Sequence, residues 1–401
     1  MRRLEVWLDF GVDEEDAVLP LRRVGTLAED GPTVFFEYDA AFLTAPLPIS
    51  PVHLPARPGL FSHAERDFDR LPGVFADALP DGFGRLVQDR AFEALGRPRE
   101  RITSLDRLAA VGDAAMGALT FRPAQDLASE GPDAHDLDLA ALAAQGERLL
   151  EGSPEEVLPQ YIAAGGSPGG ARPKVLAGVA ADGRVIAGVL SSMVTGQTLP
   201  LPDGYTPFLI KFAAREDVAA FGRDVGAVEL AYWQLARAAG IHVPPARLFV
   251  AGDGHRWFGA ERFDRHGRGG RGRRHLHTLG GLLHASHRQP SLDYEAFLTL
   301  TAHLTRDIKQ VEQAVRRMAF NVFAHNRDDH SRNIAYFMHP QGDWRLAPAY
   351  DLTFSAGIAG HHTTSIGGES RTPPLYAKQR PPRGAGRRAR PGGPRHRPGG
   401  N

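Results

Sequence analysis

The sequence has no cysteine among its 401 residues, which excludes disulfides, thiol nucleophiles and cysteine-built zinc or iron–sulfur sites. Any metal must therefore sit on oxygen or imidazole. Also missing is a run of about 18 apolar residues, the length that spans a bilayer. The stretch after Met1-Arg2-Arg3 is broken by Glu5 and Asp9, too polar for the apolar core of a secretory signal. The expected compartment is the cytoplasm, with no membrane partner. Acid is absent from residues 371–401, which hold eight Arg and one Lys; the rest of the chain is then about nine charges negative although the whole is formally neutral. The two parts need separate readings.

What is present suits a soluble globular protein, with 42% hydrophobic and 23% charged residues. The length is enough for two domains or one two-lobed enzyme with a large core. Alternation at residues 4–8 and 33–38 predicts half-buried strands, with Gly25 and Gly31 as the turns between them. Leu79-Pro80-Asp81-Gly82 is turn chemistry, followed by a helical pattern at 85–95. Gly112 and Gly117 bracket a short segment before the strand-like residues 118–121. Residues 123–160 read as a polar, Ala-rich connection with a helical patch at 137–150.

Gly165-Gly166-Ser167-Pro168-Gly169-Gly170 then interrupts every regular pattern. From there to about residue 265 the chain reads as strands plus one helix, 225–239, closed by Gly240. Beyond about 275 the pattern is helical, at 297–304 and 309–324, and no solenoid repeat occurs. After Pro373 the residues are mostly Pro, Gly and Arg, too little apolar surface to fold, so a disordered tail is expected.

The strongest chemical signal is Asn326-Arg327-Asp328-Asp329-His330-Ser331-Arg332-Asn333. Phosphoryl transfer needs a carboxylate to orient the attacking hydroxyl and an amide oxygen to hold magnesium nearby; in protein kinases the Asp precedes the Asn by five positions. Asp328 and Asn333 have that spacing and Asp329 does not. The competing reading is a polar loop that caps a helix. Downstream, Asp351 follows an apolar stretch and suits the second magnesium carboxylate, or else a turn or helix cap.

Three further segments fit around these residues. Ser167 to Lys174 is a glycine-rich stretch entering a strand; glycines let backbone N–H groups approach phosphate oxygens, and Lys174 would neutralise them. It matches neither Walker A nor Gly-x-Gly-x-x-Gly, and a flexible linker is the alternative. Lys211 lies inside the apolar run Pro207-Phe208-Leu209-Ile210-Lys211-Phe212, where an ammonium without an anion is costly. Nucleotide phosphate is the usual partner in kinases, and an edge-strand lysine that blocks aggregation is the alternative. Glu229 on the next helix either holds Lys211 or lies on a solvated face. Trp257-Phe258-Gly259-Ala260-Glu261-Arg262-Phe263-Asp264-Arg265 runs from a strand into a charged turn. It either walls an adenine pocket between two lobes or ends a hairpin in ion pairs.

Taken in order, Ser-x-Gly-Gly-x-x-Pro-Lys, Ile-Lys, Glu-Arg-Phe-Asp-Arg, Asn-x-Asp-x-His-x-x-Asn and Tyr-Asp-Leu resemble the HipA family of toxin kinases. Val24-Gly25-Thr26-Leu27, Phe36-Glu37-Tyr38-Asp39, Ala78-Leu79-Pro80-Asp81-Gly82 and Gly117-Ala118-Leu119 resemble that family's N-terminal domain, so the resemblance spans about residues 1–371. It implies an α+β, two-lobed protein-kinase-like fold with a β-rich N-terminal lobe, an all-α C-terminal lobe and a disordered tail. The divisions expected are 1–125 for the N-terminal domain, 126–265 for linker, phosphate loop and nucleotide-binding core, 266–371 for the helical lobe, and 372–401 for the tail.

The activity implied is that of an ATP- and magnesium-dependent serine/threonine protein kinase, the toxin of a toxin–antitoxin pair. On the matching positions, Asp328 is the catalytic base, Asn333 and Asp351 are the magnesium ligands, His330 to Asn333 lie by the phosphates and Tyr350 stands beside Asp351. Glu261, Arg262 and Phe263 are the adenine-side hinge and Lys211 is the phosphate lysine. Pro168, Gly169, Gly170, Ala171, Arg172 and Lys174 form the phosphate loop, and Ser167 is the autophosphorylated serine. The partners implied are a HipB-like helix-turn-helix antitoxin, DNA through that antitoxin, and a protein substrate such as an aminoacyl-tRNA synthetase.

Two features depart from the family pattern. The composition changes abruptly after Arg371, as a reading-frame change in a GC-rich gene would produce. The expectation is lost terminal helices and exposed apolar surface, and with it the alternative of an inactive HipA-like protein that binds an antitoxin/DNA complex. Pro168 directly after Ser167 restricts that serine toward extended backbone.

Overall fold

A computed structural model describes residues 2–125, 127, 136–152, 161, 170–191, 198–214, 222–287 and 292–370. Ser167, Pro168, Gly169 and the arginine-rich tail lie outside the described residues.

The first of two five-stranded sheets has the order Leu60–His63, Thr33–Tyr38, Arg22–Asp30, Arg2–Leu8, Leu119–Arg122, every neighbouring pair antiparallel. Its register follows the period-two pattern: Leu4, Val6 and Leu8 face the core while the residues between them are partly exposed. Gly31, at φ +56°, makes the turn expected of it. Gly25 does not. It lies inside the strand Arg22–Asp30, where a Cβ would sit 2.2 Å from the Glu37 carbonyl oxygen and within 3 Å of the Phe36 ring. Close packing against the neighbouring strand, not chain reversal, requires glycine there.

The second sheet has the order Ala246–Val250, Arg256–Glu261, Tyr205–Lys211, Lys174–Ala180, Val185–Ala187, again antiparallel throughout. Tyr205–Lys211 is its central strand, which removes the edge-strand explanation for Lys211. The helix Val225–Ala238 packs on this sheet through Gly226, where a Cβ would fall 2.2 Å from the Arg256 carbonyl oxygen. That approach turns Glu229, one helical turn on, toward the sheet. Glu229 is 3% exposed, so it does not lie on a solvated face.

The C-terminal region is not all helical. Besides the helices Leu279–Leu283, Tyr294–Thr305 and Ile308–Phe323, it contains a three-stranded antiparallel sheet in the order His275–Thr278, Ala335–Met338, Trp344–Leu346. A two-residue parallel pairing joins Leu292–Asp293 to Thr364–Ser365. These strands are two to four residues long, too short for a periodicity to stand out beside two long amphipathic helices.

The largest core is continuous from the first sheet into this region: Leu4, Phe36, Phe75 and Phe121 share it with Tyr294, Phe297, Tyr336 and Trp344. Each such side chain contributes roughly 1.5–3 kcal/mol over an exposed one, so the first sheet and this region stabilise each other. Phe83 and Val87, on the helix Gly82–Ala94, cross instead to the core of the second sheet, beside Val175, Ile210 and Trp257. The N-terminal region thus touches both remaining parts of the molecule.

Candidate active site

A cavity of about 160 Å³ lies where the second sheet meets the segment after Ile308–Phe323. Lys174 and Lys211 enter it from adjacent strands. Lys211 Nζ donates to Glu229 Oε1 at 2.6 Å and to Asp351 Oδ1. Burial alone would strip the Lys211 proton, but Asp351 and Glu229 outweigh it and hold its pKa above the usual lysine range. For Lys174, burial wins despite Asp351 nearby, and the ammonium is brought down to about 8. Asp351 answers to both: burial would raise it, yet Lys211 and Lys174 pull it down to about 2.

Asp351 has φ +52°, a backbone state that costs a residue with a Cβ roughly 1–2 kcal/mol but that aspartate tolerates better than most. Asn326 Nδ2 donates to its carbonyl at 3.3 Å. The same amide donates to Asn321 Oδ1 at 3.0 Å, so one side chain ties the helix end to Asp351.

The two neighbouring aspartates of the 326–333 segment have different surroundings. Asp329 is 2% exposed. It accepts hydrogen bonds from Tyr294 Oη at 2.8 Å and from the Thr363 and Thr364 N–H groups at 2.8 and 3.2 Å, and meets His362 Nδ1 at 2.9 Å. It therefore anchors the segment to the core. Asp328 lines the cavity with its side chain 64% exposed, and its nearest ionic neighbour is His330 Nε2 at 3.8 Å. Asn333 Nδ2 donates to the Asp328 carbonyl at 2.8 Å, a bond that closes the loop over the five-residue spacing. It leaves the Asn333 side-chain oxygen to serve as an acceptor.

Opposite, Glu261, Arg262 and Phe263 reach the cavity wall. The Phe263 and Tyr350 rings stack at 5.6 Å with a 24° tilt, and Tyr350 Oη donates to the Arg332 carbonyl at 2.6 Å. Two of their three backbone N–H groups are already engaged, Glu261 by the Pro245 carbonyl and Arg262 by the Pro207 carbonyl. The Arg262 side chain turns to Asp264, at 3.0 and 2.8 Å. Asp264 also takes Arg265 at 2.6 Å and the Gly117 N–H at 2.8 Å. The motif is thus a wall on one face and an ion-pair joint to the N-terminal region on the other.

Of the residues expected in the site, Gly170, Lys174, Lys211, Glu261, Arg262, Phe263, Asp328, His330, Asn333, Tyr350 and Asp351 line this one cavity. Ala171 and Arg172 stand off its wall, Arg172 reaching Glu229 at 3.9 Å. Sequence reasoning missed Asp77, Leu79, Asp81 and Met116, which the N-terminal region contributes; Arg332, within the 330–333 stretch, lines the cavity too. Their signal was present only as turn residues around Pro80 and as one Met between two glycines.

Among the described residues no cluster of three or more His, Asp or Glu forms a closed metal site. Magnesium bound with a nucleotide needs only one or two protein oxygens; the Asp351 carboxylate and the Asn333 amide oxygen on the same wall are donors of that kind. No helix among the described residues is long and apolar enough to cross a membrane.

Two family models match the chain: the HipA N-terminal domain over residues 16–122 and the HipA-like C-terminal domain over residues 166–389, the latter running past Arg371. Among solved structures, the Shewanella oneidensis MR-1 toxin–antitoxin complex of HipA, HipB and its operator DNA contains a similar chain. The two share 18% identity with a TM-score of 0.61, over 90% of this chain and 79% of that one. At that identity the likeness concerns the fold. A search of curated proteins finds no match.

Proposed function

The chain belongs to the HipA family, and on that premise we propose that it is an ATP- and magnesium-dependent serine/threonine protein kinase, the toxin of a toxin–antitoxin pair. The observation that carries this reading is the convergence of Lys174, Lys211, Asp328, Asn333 and Asp351 on one cavity. These are the charges and amide that phosphoryl transfer requires.

Lys174 and Lys211 bind the nucleotide phosphates, Lys211 being held in place by Glu229. Phe263 and its stacked partner Tyr350 wall the base side. Asp328 orients the substrate hydroxyl and accepts its proton as the oxygen attacks the γ-phosphorus and the bond to the leaving ADP breaks. Asn333 and Asp351 hold magnesium, which when bound with ATP neutralises charge on the phosphates. The acceptor is a serine, Ser167 of this chain or one on a protein substrate such as an aminoacyl-tRNA synthetase. The structure of the Shewanella HipA contains HipB and operator DNA; by that likeness the partner here is a HipB-like antitoxin, with DNA reached through it, in the cytoplasm.

Incubation with ATP and magnesium followed by mass spectrometry tests the reading. Phosphate is expected on Ser167 of the wild type and absent from Asp328→Ala. Equal phosphorylation of both would remove Asp328 from its role. A wild type that fails to bind ATP with magnesium by calorimetry would favour instead a non-catalytic protein that binds an antitoxin/DNA complex.

A further inference from the structure

We propose that Asp81 is a positioning residue that couples the glycine-rich segment at Gly170 to the catalytic segment at Arg332, so that the N-terminal region holds two walls of the active site in register. The proposal rests on the kinase reading above.

Asp81 occupies the position before the helix Gly82–Ala94, where a carboxylate ordinarily caps its own helix. It makes no such bond. One oxygen, Oδ1, accepts the Gly170 N–H, and the other, Oδ2, accepts Arg332 Nη1 at 2.8 Å. The side chain thus bridges two segments that are far apart in sequence, one on each side of the cavity.

The grip on Gly170 is double. Phe83 N–H donates to the Gly170 carbonyl at 3.1 Å, so the turn Asp81-Gly82-Phe83 holds both polar groups of that residue. A Cβ at Gly82 would lie 2.3 Å from the Gly170 carbonyl oxygen, and Gly82 has φ +45°; only glycine permits the approach. Gly170 in turn is packed on the phosphate-side lysine: a Cβ there would sit 2.7 Å from Lys174 Nζ. On the other side, the Arg332 carbonyl accepts from Tyr350, next to Asp351. One carboxylate therefore lies between the Lys174 end and the Asp351 end of the site. Burial works against its charge, but Arg332, the Gly170 N–H and Lys174 keep it ionised below its ordinary pKa.

A salt bridge that merely fastened one region to another would change stability and leave the Gly170 backbone indifferent to Arg332. Coupling predicts otherwise. Hydrogen–deuterium exchange on the full chain should show faster uptake at Gly170 in both Asp81→Asn and Arg332→Gln, although Arg332 makes no bond to Gly170. In turnover assays Asp81→Asn should lower kcat about 10-fold to 100-fold, the scale of a misplaced reacting group. The KM for the protein substrate should change little, and the double variant should be no worse than the worse single one.

Unchanged uptake at Gly170 in Arg332→Gln, or fully additive losses of kcat, would overturn the proposal. If Asp81→Asn does not fold, the exchange in Arg332→Gln still decides it. A wild type that transfers no phosphate removes the kinase reading, whereas the exchange measurement judges the coupling on its own.

Discussion

Lys174 and Lys211 are paired in register on adjacent strands, yet their ammonium groups are displaced in opposite directions, Lys174 down to about 8 and Lys211 above the ordinary lysine range. The cause is the placement of two carboxylates. Glu229 and Asp351 both bond Lys211 directly, whereas for Lys174 burial is the larger influence. One lysine is thereby a permanent charge, and the other gains most from the arrival of an anion.

Nucleotide binding should therefore take up a proton near pH 8.5. Below about 8 Lys174 is already charged, and as pH rises from there toward the ordinary lysine value of 10.5 the apo protein loses that charge and affinity for a polyphosphate falls. Over the same window the unfolded chain binds more protons than the folded one, so apo stability rises with pH. Calorimetry in buffers of different ionisation enthalpy should report the uptake in the wild type and its loss in Lys174→Met. A heat independent of buffer in the wild type would contradict this.

Replacing Lys211 by Met removes the one cation that bonds both Glu229 and Asp351, leaving Arg172 at 3.9 Å from Glu229 and the more distant charge of Lys174 on Asp351. Breaking a buried ion pair from one side costs about 3–5 kcal/mol, and Lys211→Met should approach that value in urea unfolding. Lys211→Arg should recover part of the stability but not nucleotide affinity, since the guanidinium is larger and planar. A Lys211→Met protein as stable as wild type would show that the pair contributes nothing.

The contrast between the two adjacent aspartates separates chemistry from support. Asp328→Asn should leave stability within about 0.5 kcal/mol, as for other exposed substitutions, while lowering phosphoryl transfer about 100-fold or more. Asp329→Asn should do the reverse in first effect, destabilising by about 2–3 kcal/mol because a buried acceptor of several bonds is replaced by an amide. Equal loss of stability in the two variants would refute the distinction.

Asp264 gives an acid-side prediction. Burial would raise its pKa, but Arg262 and Arg265, with the Gly117 N–H, hold it well below the usual carboxylate range. Its contribution to stability is then present above pH 3.8, its ordinary value, and is lost as pH falls further toward the folded pKa. Asp264→Asn should remove that dependence and leave Arg262 and Arg265 uncompensated, at a cost of about 3–5 kcal/mol. Acid titration of the two proteins by circular dichroism compares them; superimposable curves would exclude the role.

The residues of the site that could be read in advance share one property, that each is conspicuous among its immediate neighbours. Lys211 follows an apolar run, Lys174 follows a glycine cluster, and Asp328 and Asn333 stand at a spacing that a closed loop requires and that the Asn333–Asp328 hydrogen bond realises. Long elements were legible for a related reason: the helices Ile308–Phe323 and Tyr294–Thr305 and the strand Thr33–Tyr38 repeat their pattern often enough to declare a period.

Residues whose meaning depends on what packs against them could not be read this way. Glu229 looks like a surface glutamate until Gly226 brings its helix onto the strand Arg256–Glu261, and Gly25 looks like a turn until Phe36 and Glu37 are seen across it. Asp81 reads as a turn residue until Gly170 and Arg332 occupy both of its oxygens. The sequence by itself determined which chemical groups are available, no thiol, and the lysines, aspartates and asparagine that line one cavity, because those are properties of residue type and local spacing. Only the tertiary structure decided which carboxylate neutralises which cation and which region completes the cavity, because hydrogen bonds and ion pairs act over a few ångströms in space, irrespective of separation along the chain.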